Sequence, residues 1–282
     1  MKILVTGGKG QLGQALKKVL PKSSVFVDVE DFDIVDFKAV QKNLTKIRPQ
    51  LIIHTAAFTN VDGAEDEKKL AFQINQLGTR NLVKMAKKIG SFFIYISTNY
   101  VFGGGKKTAY KETDRPYPLS VYGKSKLAGE KETRKLKNFL IVRTAGLYGE
   151  GKNFVKAILE LAKTQSKLTV VDDQKTSVCL ADDLAKAIWQ LIQKKKKGIW
   201  HIANLGELTW FDFAKKIVEL GYNLGLLPKK PKMVPITTEQ LGRPAPRPQN
   251  GVLDLSKAKK AGIFLREWSK ALAEYLKNEA KK

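Results

Sequence analysis

Cysteine is almost missing from this chain: Cys179 is the only one in 282 residues. Without a second thiol there is no intrachain disulfide and no cysteine cage for a metal. Histidine is scarce too. His54 and His201 are the only two, and neither has a second ligand at metal spacing, so each is expected to be buried and hydrogen-bonded. No apolar run approaches the roughly 20 residues that a membrane helix needs. The opening segment Lys2–Thr6 is short and runs into glycines, so it reads as a strand rather than a secretion signal. The expectation is a soluble, cytoplasmic chain with no membrane partner.

Acidic residues are also in short supply, 27 against 51 basic ones, for a net charge of +24. A basic surface gathers anions of any kind. Here the lysines cluster at Lys84–Lys88, Lys131–Lys137, Lys194–Lys197, Lys257–Lys260 and Lys281–Lys282, where exposed helix faces and helix ends belong. No zinc finger, RNP-like motif or arginine-rich arm accompanies them. Charge runs without such a motif read as solvated surface, and no nucleic-acid partner is expected.

What remains is enough for a core. Apolar residues supply 43% of the chain and charged residues 28%, which excludes wholesale disorder. Strands are predicted at Lys2–Thr6, Ser24–Val27, Leu51–Thr55, Phe92–Ser97 and Phe139–Arg143. Between them, helices are predicted near Gln11–Leu20, Phe37–Ile47, Leu70–Ile89 and Val121–Leu136. Strands too apolar to have a wet face point to a parallel sheet covered on both sides. The fold class is α/β, a Rossmann-type doubly wound parallel sheet. Beyond Tyr148 the rhythm loosens, and Pro228–Pro235 and Gly242–Pro248 punctuate shorter elements.

The first strand runs straight into Thr6-Gly7-Gly8-Lys9-Gly10-Gln11-Leu12-Gly13. The glycines fit G-x-G-x-x-G from Gly8, or G-x-x-G-x-x-G from Gly7. Such a turn lets backbone N–H groups reach a pyrophosphate at the start of the next helix. The motif gains weight because it joins a predicted strand to a predicted helix. An acidic residue is expected about 20 residues on, to hold the adenosine ribose. Asp28 stands there, with Glu30, Asp31 and Asp33 close behind. A carboxylate on the ribose suits NADH, whereas Lys9 suits the 2′-phosphate of NADPH. Both cofactors stay open, with Lys9 tipping the reading toward NADPH. Residues 1–149 thus read as an NAD(P)-binding Rossmann domain. Residues 150–282 read as mainly a smaller substrate-binding subdomain, with some elements returning to the sheet.

Tyr122-Gly123-Lys124-Ser125-Lys126 places Tyr122 and Lys126 at i and i+4, one turn apart on one helix face. An ammonium that close is expected to pull the phenol below its usual pKa of about 10, improving it as a proton donor to a forming alkoxide. Ser97-Thr98 ends a predicted strand, where open α/β sheets bind ligands. The Thr98 hydroxyl there is placed to hydrogen-bond the same carbonyl oxygen.

With these motifs in hand, the chain resembles the extended short-chain dehydrogenase/reductase superfamily and, within it, the dTDP-4-dehydrorhamnose reductase family. The resemblance spans nearly the whole chain. It is carried by Gly7–Gly13, His54–Glu65, Ser97–Phe102, Tyr117–Lys131 and Arg143–Gly149, with softer echoes at Val170–Gln174, Leu208–Ala214 and Arg247–Asp254. It implies reduction of the 4-keto group of a dTDP-linked 6-deoxyhexose by hydride from a nicotinamide. By residue matching, Tyr122 donates the proton, Lys126 tunes it and contacts the nicotinamide ribose, and Thr98 orients the carbonyl. Gly10, Gln11, Leu12, Ala56 and Ala57 line the cofactor, while Asn99, Tyr100 and Arg247 face the sugar nucleotide.

Several positions depart from the family pattern. The usual Ser-Thr-Asp is Ser97-Thr98-Asn99, a tryptophan usual after Arg143-Thr144-Ala145 is Gly146, and the usual Gly-x-Pro-Thr is Thr176-Ser177-Val178-Cys179. All three fall on the substrate side. Ala15 stands where some relatives carry a glutamate for a magnesium ion, so no metal is expected. Another sugar-nucleotide reductase or an epimerase of the same superfamily remains an alternative, as does a non-catalytic role like that of the methionine adenosyltransferase beta subunit. A homodimer is left open. Trp189 and Trp200 read as core, and Trp210 as packing within the second half.

Overall fold

The first strand, β1 (Ile3–Thr6), is buried along its whole length, and alternate side chains serve opposite cores. Ile3 and Val5 pack with Leu12, Leu16, Leu184 and Ile188, whereas Leu4 packs with Val40, Leu44 and Leu82. A strand with no polar side needs helices on both faces, and the computed structural model, which describes residues 1–282, has them. β2 (Val25–Val27), β3 (Leu51–His54), β4 (Phe92–Thr98) and β5 (Phe139–Thr144) continue the sheet. The Gly198–His201 strand completes it beside β5. From that edge the spatial order is β5-β4-β3-β1-β2, every pairing parallel. The order reverses at β1, so a crevice opens above the carboxyl ends of β1 and β3.

Helix α1 (Gln11–Lys17) stops before the predicted Leu20, because Pro21 disfavours helical backbone at the residue before it. Helix α2 (Phe37–Ile47) has the predicted bounds, with Asp36 accepting the Lys38 and Ala39 N–H groups at its start. The predicted Leu70–Ile89 helix starts earlier, at Lys68, and is not uniform: a π-helical stretch, Gln73–Gly78, precedes α3 (Thr79–Ile89). There Asn75 turns inward to bond the Phe58 N–H, the Phe58 carbonyl and the Ser125 hydroxyl. Those bonds fix α4 (Val121–Thr133), whose N-cap Ser120 accepts from the Gly123 N–H. Two glycines let α4 lie flush on its neighbours. A Cβ at Gly123 would stand 2.2 Å from the Tyr100 carbonyl oxygen, and one at Gly129 would stand 2.3 Å from the Tyr95 hydroxyl.

Residues after Tyr148 contribute in two places. The Ala181–Gln193 helix packs against α1, and the Gly198–His201 strand extends the main sheet. The helices Phe154–Thr164, Trp210–Asn223 and Trp268–Glu279 instead share a second core around Phe213, Ile217 and Leu272. A small sheet of Leu208–Thr209, Lys175–Thr176 and Asn250–Gly251 edges this second core. No helix is long and apolar enough to cross a membrane.

Candidate active site

The glycine turn is shaped by close approach. Gly7 has φ +72°, and a Cβ there would sit 2.7 Å from the Ala56 nitrogen, so the turns after β1 and β3 touch backbone to backbone. A Cβ at Gly13 would stand 2.3 Å from the Gly7 carbonyl oxygen, so α1 also rests directly on the turn. Gly10 caps α1 without any side chain, which leaves N–H groups of the first turn facing a cavity of about 870 Å³. Gly7, Lys9, Gly10, Gln11, Leu12, Asp28, Asp33, Ala56, Ala57, Thr98, Asn99, Tyr100, Tyr122 and Lys126 all line this one cavity. Gly13 and Arg247 do not. Gly13 lies beneath the turn, and Arg247, expected on the substrate, is held by Asp62 at 2.9 Å and by the Ala245 carbonyl at 3.0 Å.

At the end of the cavity beside the glycine turn, Asp28 accepts from the Lys9 and Val29 N–H groups at 2.9 and 3.0 Å, so its carboxylate buttresses the turn. The Lys9 ammonium reaches Glu30 at 2.9 Å, and that bond, with Asp28 and Asp31 nearby, raises its pKa. Asp33 accepts from the Val35 N–H at 2.8 Å.

At the other end, β4 delivers Thr98 and α4 delivers Tyr122 and Lys126. Here one expected direction is reversed: the phenol sits above its ordinary pKa, not below it. Desolvation pushes Tyr122 up to about 12, with the Thr98 hydroxyl pulling against it. Desolvation also pushes Lys126 down to about 7, with Glu130 opposing. The Lys126 Nζ sits 4.4 Å from the centre of the Tyr95 ring, a cation–π placement that the i,i+4 spacing alone does not reveal. The consequence is a phenol that stays protonated at neutral pH beside a lysine poised to change charge there. Both properties suit a proton donor.

Behind α4 a buried ion pair holds the frame. Arg143 donates to Glu130 at 2.8 and 2.7 Å, and the Ser97 hydroxyl donates to the same carboxylate at 2.7 Å. These bonds tie the ends of β4 and β5 to the helix that carries Tyr122. His54 lies between the Thr6 and Thr79 hydroxyls at 2.7 and 3.1 Å, and burial pushes it down to about 3, so it stays neutral. His201 is likewise buried and held at about 3, bonded to the Tyr110 carbonyl at 3.0 Å. Cys179 is fully buried and pushed up to about 12, an inert filler.

The far wall holds residues that the motif reading missed. Thr144 lies opposite Thr98 in the sheet register and lines the cavity with a buried hydroxyl that has no partner. Its place at a strand end was a usable signal. Glu150, Gly151 and Lys152 line the cavity too, and the Gln11 amide donates to the Lys152 carbonyl at 3.1 Å. Trp210 faces the cavity while its ring rests on Phe154 at 4.7 Å. Gly146 has φ +47°, and a Cβ there would stand 2.8 Å from Val178, so no aromatic side chain fits at that point. The aromatic surface comes from Trp210 instead.

These features fit a nicotinamide dinucleotide. The glycine turn has room only for backbone beside Ala56, and Thr144 offers an unpaired hydroxyl at the other end of the same cavity.

A family model described as "RmlD substrate binding domain" matches residues 1–281. The spore coat polysaccharide biosynthesis protein SpsK of Bacillus subtilis is 37% identical over 99% of this chain and 98% of its own length. A dTDP-4-dehydrorhamnose reductase from Clostridium acetobutylicum superposes with a TM-score of 0.94 at 39% identity, covering 99% of both chains. The dTDP-4-dehydrorhamnose reductase of Bacillus anthracis, solved in complex with NADP, gives 0.92 at 36% identity over 97% of this chain and 98% of its own.

Proposed function

Because the chain belongs to the RmlD substrate binding domain family, we propose that it reduces the 4-keto group of dTDP-4-dehydro-L-rhamnose to dTDP-L-rhamnose, with NADPH or NADH as reductant. The observation that carries this reading is the meeting of Thr98, Tyr122 and Lys126 in the same cavity as the glycine turn.

Gly7, Gly10, Gln11, Leu12, Ala56 and Ala57, which line the cavity, would hold the dinucleotide at its pyrophosphate, and Asp28, Asp33 and Lys9 would meet its adenosine. A reduced nicotinamide bound there would supply the hydride for the keto carbon. Thr98 orients the keto oxygen by hydrogen bonding. Tyr122, kept protonated by desolvation, gives its proton to that oxygen as negative charge develops. Lys126, in its charged form, stabilises the phenolate left behind, and the buried Glu130 favours that form. Proton donation therefore draws on a group that is neutral before the step and is stabilised only while the step proceeds.

The direct test is oxidation of NADPH and NADH by purified protein with freshly generated dTDP-4-dehydro-L-rhamnose. Saturable oxidation yielding dTDP-L-rhamnose is expected. Cofactor binding without turnover overturns the assignment and favours another sugar nucleotide.

A further inference from the structure

Asn99 is only 2% exposed, and every polar atom of its side chain is engaged inside the protein. Its Nδ2 donates to the Gly251 carbonyl at 2.9 Å and to the Thr176 hydroxyl at 3.3 Å. Its Oδ1 accepts from the Thr98 hydroxyl at 3.3 Å. Thr98 in turn accepts from the Tyr100 N–H at 3.2 Å, and its hydroxyl also stands within hydrogen-bonding reach of the Tyr122 phenol. The side chain therefore joins the end of β4 to two paired strands of the second core, since Thr176 and Gly251 face each other in register.

Asn99, the Thr176–Val178 segment and Gly146 are in contact through this link. From Asn99 the chain of contacts passes to Thr176, whose hydroxyl donates to the Ser177 carbonyl at 3.0 Å. That carbonyl oxygen would lie 2.9 Å from a Cβ at Gly146. On the other side, a Cβ at Gly251 would lie 2.5 Å from the Asn99 Nδ2. Asn99, Thr176–Val178 and Gly146 thus form one connected wall.

We propose that Asn99 is a positioning residue: its amide straps the Thr98 end of β4 to the Asn250–Gly251 strand, and its neutral oxygen holds the Thr98 proton loosely enough to release it to an arriving carbonyl. Only an amide does both. A carboxylate has no proton for the Gly251 carbonyl, and it grips a hydroxyl proton more tightly than an amide oxygen does. The part of the inference that concerns Thr98 rests on the function proposed above; the strap does not.

The test compares Asn99→Asp, Asn99→Ala and Gly251→Ala with wild type. Asn99→Ala and Gly251→Ala are expected to lower kcat by about tenfold, the worth of one well-placed hydrogen bond, with KM for the sugar nucleotide changed much less. Gly251→Ala displaces the amide without altering it, and so keeps the inference testable where Asn99→Asp does not fold. Asn99→Asp is expected to lose more kcat than Asn99→Ala near pH 8, and to recover toward it as the pH falls and the introduced carboxyl gains its proton. Its Tm deficit against wild type is expected to widen over the same rise in pH, since a buried carboxyl with a raised pKa costs stability only when ionised. Wild-type kcat and Tm for Asn99→Asp across the pH range overturn the proposal. If the wild-type enzyme itself fails to turn over this sugar, the proposed function falls, and the dependence of Tm on pH still decides the strap.

Discussion

At the cofactor end of the cavity, most of the shaping groups lie between Gly7 and Ala57, on loops that follow β1, β2 and β3. The far wall is gathered from Thr98–Tyr100, Thr144–Lys152 and Trp210, backed by Thr176–Val178 and Gly251. The first end is made of backbone. Gly7 and Gly13 are needed there because atoms of the chain itself approach within 2.3 to 2.7 Å of where a Cβ would be. The second end is made of side chains whose partners are remote in sequence. The contrast implies that changes near the glycine turn act on cofactor affinity, while changes on the far wall act on substrate and on turnover.

The largest expected effect lies where the two ends meet. Tyr122→Phe removes the proton donor and keeps the ring that packs edge-on against Tyr100 at 5.7 Å. Steady-state kinetics should show kcat reduced by about 100-fold or more, with cofactor affinity by fluorescence titration nearly unchanged. Turnover close to wild type breaks the assignment of the donor. Next in size is Gly13→Ala, which puts a methyl 2.3 Å from the Gly7 carbonyl oxygen and forces the turn to move. Cofactor Kd is expected to weaken by about tenfold or more, while kcat at saturating cofactor stays within a small factor of wild type. A loss confined to kcat would erase the distinction between the two ends.

Lys126 gives a third test, in pH. Its pKa is pushed from the ordinary lysine value down to about 7, so the charged form dominates below that pH and is lost above it. The positive charge assists the phenolate that forms as Tyr122 gives up its proton. kcat/KM for reduction should therefore fall on the alkaline side, by up to about tenfold per pH unit. Lys126→Met should show a lower rate without that limb. A wild-type profile that stays flat from about pH 6 to about pH 9 excludes the role.

The same contrast explains how much was legible in the chain. The parallel sheet, the glycine turn and the pairing of Tyr122 with Lys126 all follow from patterns within a few residues, and the elements lie within a few residues of their predicted bounds. The π-helical stretch at Gln73–Gly78 had no such pattern, because it is set by Asn75 bonding Phe58 and Ser125 across the fold. Spacing put Tyr122 and Lys126 on one face correctly but misjudged the direction of the phenol's pKa. Charge proximity was weighed there without burial, and burial dominates. The bond from Asn99 to Gly251 was not legible, because that partner lies 152 residues away. The pairing of Arg247 with Asp62 was not legible either, because nothing near Arg247 in sequence announces that partner.

Trp210 offers the smallest effect and the finest discrimination. It opens the Trp210–Asn223 helix, where Thr209 and Asp212 form a capping box, so the backbone that carries the ring is fixed independently of any ligand. The ring packs on Phe154 and borders the cavity that Gly146 also lines, where a Cβ on Gly146 would crowd Val178 and Ser177. An aromatic surface of this kind adds contact area for a sugar or base without taking part in proton transfer. Trp210→Ala should then raise KM for the sugar nucleotide by about three- to tenfold, with kcat and cofactor Kd little changed. Cofactor titration and steady-state kinetics on the same preparation separate the cases. If cofactor Kd moves instead, Trp210 belongs to the dinucleotide, and the boundary between the two ends shifts toward the Glu150–Lys152 loop, which already reaches Gln11.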